Sequence, residues 1–190
     1  MGPGVVLNVK DKASSNADYQ VTVQDLLDWE AVYGKIPTGA VVLMYSGWGV
    51  KYPNRTEVFR STNITDPSTF HFPGFHKDAA KWLVTYRDIN LVGVDTPALD
   101  YGRTTSNPAH VTFFSANIPG LESVANLAKL PVDGSATVYA AVQKIFDGSG
   151  GPTRIFAVYE EESQSTNGAN MISQKFIVVG VAVCLMFVSV

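Results

Sequence analysis

The apolar positions fall into blocks of two periods. Val5, Val6 and Leu7 with Val9 form a short apolar run that predicts a strand at the front of the chain. Thr22, followed three residues later by Asp25, has the form of a capping box. Leu26, Leu27, Trp29, Ala31 and Val32 then continue with helical spacing. Gly34 and Pro37 end that helix. The run AVVLMY, Ala40–Tyr45, lies between Gly39 and Ser46-Gly47 and predicts a buried strand. Residues 77–87 set Ala80, Leu83 and Val84 on one side and charges on the other, a surface helix. Residues 91–94 (LVGV) predict the next strand. A second helically spaced apolar segment begins near Leu121 and puts Glu122 at a helix start. Residues 136–145 and 154–159 predict two strands joined by the turn DGSGGP. Strands alternating with helices and a closing hairpin make an α/β or α+β domain with a mixed sheet.

Two segments fall outside that alternation. Residues 48–75 are long, aromatic and turn-rich, with Pro53, Pro67 and Pro73; a loop of this length is functional or a lid. Near the end, three glutamates (160–162) and a polar stretch precede FIVVGVAVCLMFVSV, residues 176–190, which carries no charge. As a helix that tail would span roughly 22 Å, short of the roughly 30 Å of a bilayer core. Three readings stay open. It is a lipid-anchor (GPI-type) signal that is removed, with Ser165-Thr166-Asn167 or Asn167-Gly168-Ala169 as attachment site; a retained short membrane tail; or a buried terminal strand or helix. The first places the protein on the extracellular face of a membrane, and the second makes it membrane-associated. Asn54-Arg55-Thr56 and Asn63-Ile64-Thr65 fit the glycosylation acceptor pattern and add little alone. An anchor signal also requires a signal peptide. Met1-Gly2-Pro3-Gly4 is not one, which suggests a missing N-terminal piece. The expected organisation is a domain over 1–160, a polar linker over 161–175 and a hydrophobic tail over 176–190.

Composition narrows the function classes. The 190 residues suffice for one domain with a real core. A net charge of −3 with no basic patch argues against nucleic acid as a partner. The single cysteine, Cys184, lies in the apolar tail, so the globular part has no disulfide and no thiolate ligand or nucleophile.

The candidate chemistry concentrates in residues 91–130. His110 follows a Gly-, Ser-, Asn- and Pro-rich loop, and Glu122 follows twelve residues later. Imidazole and carboxylate both suit zinc or manganese. The bland alternative is a surface His and a Glu favoured by a helix N-terminus. Asp95 and Asp100 flank the turn Thr96-Pro97-Ala98-Leu99. They either cap backbone amides or orient a ligand from behind. Trp48, His71 and Phe75 are pocket candidates, with core packing or simple exposure as the alternative. The DGSGG run lacks the Lys-Ser/Thr ending of a phosphate loop and reads as a hairpin turn.

Several pieces occur together in one order: AVVLMYSGWG (40–49), FPGF (72–75), AAKWL (79–83), VGVDTPALD (92–100), PAH (108–110), LESVANL (121–127) and GSGGPTRIFAV (148–158). In this the chain resembles the cyclase family of metal-dependent hydrolases, which includes bacterial-type kynurenine formamidases and isatin hydrolases. The run FHFPGF is closer to the isatin hydrolase branch. The resemblance implies a β/β/α domain, a homo-oligomer, and a zinc or manganese site. That site would hydrolyse an amide C–N bond in a small aromatic substrate, N-formylkynurenine- or isatin-like, as in tryptophan catabolism. The metal lowers the pKa of its water to roughly 7. It implies His110 and Glu122 as the later metal ligands. It also implies a run His-x-Gly-Thr-His-x-Asp-x-Pro-x-His, supplying further ligands and a catalytic His, before the segment matching residues 5–10. None of the three histidines here lies in such a run. The expected catalytic His therefore falls upstream of Met1, and part of the metal site is expected to be lacking. Two expectations follow: an amide hydrolase seen without its front end, or a non-catalytic, membrane-tethered binding or scaffolding relative.

Overall fold

The structure is a computed structural model that describes residues 1–163 and 171–185, with side chains through Glu160. The elements in chain order are β1 (Gly2–Asn8), α1 (Lys10–Ser15), β2 (Gln20–Val21), α2 (Val23–Tyr33), β3 (Ala40–Tyr45), α3 (Arg55–Phe59), β4 (Gly74–Phe75), α4 (Lys77–Tyr86), β5 (Ile89–Val94), α5 (Pro108–Ser115), β6 (Gly120–Glu122), β7 (Asp133–Val142), β8 (Gly150–Ser163) and β9 (Met171–Leu185). Seven strands close into a barrel in the order β1-β3-β5-β6-β9-β8-β7, and β7 returns to β1. The neighbours from β1 to β6 are parallel. The rest are antiparallel. β2 and β4 form a separate short parallel pair.

The parallel strands have apolar residues at nearly every position because both of their faces are covered. Side chains alternate across a strand with a period of two. Val42 and Met44 of β3 accordingly join Val5 and Leu7 of β1 in an outer core, with Leu26 and Trp29 of α2, Leu83 of α4 and Phe113 of α5. Val41 and Leu43 join Val6, Leu121, Val138 and Ile155 inside the barrel. Gly93 of β5 makes room there: a Cβ at that position would stand 2.7 Å from Leu43 Cδ2.

The predicted capping box is formed. Thr22 accepts from the Asp25 amide, and the Asp25 carboxylate accepts from the Thr22 amide at 2.6 Å. The same carboxylate receives Tyr19 Oη and Lys12 Nζ, which ties α1 to α2. Arg87, just past α4, pairs with Glu30 of α2.

Two sequence-based expectations are corrected. Glu122 ends strand β6 and does not start a helix; the only helical turn downstream before β7 is Leu127–Lys129. His110, after the Gly-, Ser-, Asn- and Pro-rich loop, is the third residue of α5. The apolar tail does not stand apart over residues 171–185: these form β9, paired with β8 along its length and with β6 at Val183, Cys184 and Leu185. Residues 161–163 and 171–175, expected as linker, likewise lie in β8 and β9. No helix among the described residues is long and apolar enough to cross a membrane. The reason lies in residue type. Ile177, Val178, Val179, Val181 and Val183 are β-branched and favour strands. A charge-free run is also what a strand covered on both faces looks like. Residues 164–170, with both supposed attachment triplets, and residues 186–190 lie outside the described residues.

Candidate active site

β5 and β6 run parallel and end side by side at Val94 and Glu122. Side chains following the carboxyl ends of parallel strands open onto a crevice, and the polar residues of interest gather there. Backbone bonds clamp the two ends: Ser123 N donates to Thr96 O and Val124 N donates to Val94 O. Ser123 takes a left-handed conformation (φ 58°) to do this.

Asp100 is fully buried. Its Oδ1 accepts from the Ala109 amide at 2.8 Å and its Oδ2 from the His110 amide at 3.0 Å. It therefore satisfies the first turn of α5, where a carboxylate is also favoured by the helix dipole. Asn107 precedes Pro108 at the helix start, yet its own side chain makes no cap bond. Asp100 supplies that cap from across the loop. The same Oδ2 lies 2.6 Å from His110 Nδ1 and fixes the ring.

The other ring nitrogen, Nε2, lies 2.9 Å from Glu122 Oε1, which also accepts from the Leu99 amide at 3.0 Å. Phe114, one turn along α5, packs edge-on against the imidazole. The His110 side chain is 16% exposed. Burial pulls its pKa down, but the hydrogen bonds to Asp100 and then Glu122 outweigh burial and raise it to about 9. At neutral pH both ring nitrogens donate to carboxylates.

Asp95 directly follows β5 and reaches sideways to the turn after β3. It accepts from the Ser46 amide at 3.0 Å, Ser46 Oγ at 2.5 Å and the Trp48 amide at 2.9 Å. Burial pushes its carboxyl pKa up, and the bonds from Ser46, Trp48 and Gly49 pull it only partly back. Tyr52 closes the arrangement, its hydroxyl 2.6 Å from Ser123 Oγ. Burial raises that phenol, the bond to Ser123 opposes the rise, and the Asp95 and Glu122 carboxylates add to it. Beside this cluster is a cavity of about 310 Å³, walled by Tyr45, Gly47, Val50, Asp95, Val124 and Leu127.

The structure thus brings together His110, Glu122, Asp100 and, one turn away, Asp95. Asp100 caps a helix and also contacts the His110 imidazole. Asp95 caps amides, but those of another loop. The side chains of the three pocket candidates lie outside the cluster, although the Trp48 amide donates to Asp95. Trp48 is buried with its Nε1 donating to Val58 O, His71 pairs with Asp18, and Phe75 packs edge-on against Phe113 in the core. Ser46, Tyr52 and Ser123 were missed as polar partners in the sequence. Asn107-Pro108, a common helix-start pair, was the available signal that His110 begins a helix.

For a divalent ion, the donor set fits in part. An imidazole nitrogen and a carboxylate oxygen converge, and the second ring nitrogen is held by a buried carboxylate, as around metal-bound histidines. Three protein donors are usual in a catalytic site. Among the described residues no group of three His, Cys, Asp or Glu side chains is placed to hold a metal.

Comparison with known proteins agrees with this architecture. Residues 1–101 match the Cyclase family, described as putative cyclase. The chain belongs to the Cyclase family. It is 31% identical over 162 residues to an isatin hydrolase of Roseibium aggregatum, covering 83% of this chain and 59% of that protein. Among solved structures it is similar to isatin hydrolase A from Ralstonia solanacearum, with TM-score 0.76 and 32% identity over 82% of this chain and 59% of that one. An isatin hydrolase bound to the product analogue thioisatinate superposes with TM-score 0.75 and 29% identity over the same shares. The chain therefore spans about three-fifths of the length of these Cyclase-family relatives.

Proposed function

We propose that this Cyclase-family chain carries part of the active site of a metal-dependent hydrolase that cleaves the amide C–N bond of a small aromatic substrate, isatin- or N-formylkynurenine-like. The observation that carries the reading is the buried His110, held on Nδ1 by Asp100 while Nε2 meets Glu122. His110 Nε2 and the Glu122 carboxylate would hold zinc or manganese together with donors from outside the described residues. Such an ion supplies acidified water and polarises a carbonyl.

The chain's own residues have separate tasks. Asp100 keeps the imidazole in one tautomer and orientation once Nε2 gives up its proton. Glu122 is anchored by the Leu99 amide, so its carboxylate needs little reordering. Asp95 fixes the Ser46–Trp48 turn that walls the neighbouring apolar cavity, where an aromatic ring is accommodated and water kept out. The relatives' printed activity on isatin supports the substrate class.

The test is hydrolysis of isatin and of N-formylkynurenine, with zinc or manganese supplied. The 190-residue chain is compared with a form extended at its N-terminus to the relatives' length. The extended form turns substrate over, the 190-residue chain hardly does, and His110→Ala in the extended form removes turnover. Full activity in the extended His110→Ala protein would take His110 out of the site. Full activity in the 190-residue chain would refute the incomplete metal site. A folded extended form that hydrolyses neither compound would favour a non-catalytic binding relative.

A further inference from the structure

We propose that a second cavity, between α1, the turn after β3 and α3, binds a small oxyanion, a phosphate or a carboxylate. The cavity measures about 570 Å³ and opens at the carboxyl ends of the parallel strands β1 and β3. Lys10, Lys51 and Arg60 line it, against one acid, Glu57. In a chain of net charge −3 this is a local excess of positive charge.

Among the described residues the three cations lack acidic partners, and none of them takes part in an ion pair. Glu57 is engaged by the Asn54 side-chain amide at 2.9 Å, which leaves it turned to its own helix cap. The cations are nevertheless held. The Lys10 stem lies over Gly47, where a Cβ would come within 3.0 Å of Lys10 Cγ. Lys51 Nζ sits 4.6 Å from the centre of the Trp48 ring. Arg60 caps α3 in a left-handed conformation (φ 45°), which residues other than glycine rarely adopt. Thr56 shares the wall.

Three like charges around one opening repel one another, and a compact anion relieves that repulsion. A guanidinium fork and two ammonium groups match the oxygens of phosphate or carboxylate. Asp95 does not line this cavity; the turn Ser46-Gly47-Trp48 stands between. The site is therefore separate from the proposed metal site, and its test does not depend on hydrolysis.

The experiment is calorimetric titration of the 190-residue chain at fixed ionic strength, with inorganic phosphate in one arm and benzoate in the other. Saturable binding near one equivalent is expected in at least one arm, and the arm that responds identifies the anion. Arg60→Glu and Lys51→Ala each weaken that binding by about tenfold or more. Lys81→Ala, an exposed lysine on α4, leaves it unchanged. Phosphorus NMR of phosphate with the unaltered chain gives a reading that needs no variant: the resonance broadens on binding, and benzoate competes if it shares the site. No saturable binding of either anion, or equal binding by Arg60→Glu, would overturn the proposal.

Discussion

The histidine at position 110 is the residue on which the proposed chemistry turns. Its folded-state pKa of about 9 lies above the ordinary 6.5. In the metal-free chain its bonds to Asp100 and Glu122 therefore stabilise the fold fully below pH 6.5, and that stability is lost as pH rises through 9. The ceiling is on the order of 3 kcal/mol. Urea unfolding at pH 6 and pH 10 checks this: the unaltered chain loses more stability over the interval than His110→Ala does. Asp95 behaves differently, because it serves backbone amides. Asp95→Ala strands the buried amides of Ser46 and Trp48 and costs about 2–4 kcal/mol. The same measurement registers it, and Trp48 fluorescence shifts as the turn loosens.

Elements differed in how well the sequence announced them. α2 was legible because its cap is local: Thr22 and Asp25 satisfy each other within one turn. Thr22→Ala lowers unfolding stability by about 1 kcal/mol. α4 was legible from its period, and β3 from an apolar run bounded by Gly39 and Ser46-Gly47. α5 was not, because its cap comes from Asp100, eight residues before the helix begins, which local pattern does not reveal. β6 has three residues, too few to show a period, and Glu122 ends it only because β5 and β9 pair on either side. For the C-terminal run the sequence left an anchor signal, a membrane tail and a terminal strand open, because a charge-free Val-rich run suits each; over residues 171–185 the strand is what forms. Deleting residues 164–190 separates these cases. A detachable tail leaves cooperative unfolding intact. A strand that closes a barrel between β6 and β8 takes cooperativity with it and exposes apolar surface to dye binding.

At the scale of the molecule, the closed barrel explains why the site residues meet. Glu122 ends β6, His110 sits on a helix leaning on the outer core, and Asp100 lies on the loop between β5 and α5. In sequence they were a His and a Glu twelve apart and an Asp in a turn. Their pairing was an expectation from resemblance, and their contact is a consequence of parallel strands ending together. The aromatic candidates were less legible, since Phe75 is a large apolar residue in the core and Trp48 spends its polar atom on Val58.

Zinc titration of the metal-free 190-residue chain, followed by calorimetry in two buffers of different ionisation enthalpy, tests the central claim most directly. The account predicts weak binding that releases a proton from His110 near pH 7.5. That binding is lost in His110→Ala and weakened roughly 10–100-fold in Asp100→Asn. Zinc affinity and proton release that are the same in the unaltered chain and in His110→Ala would contradict it.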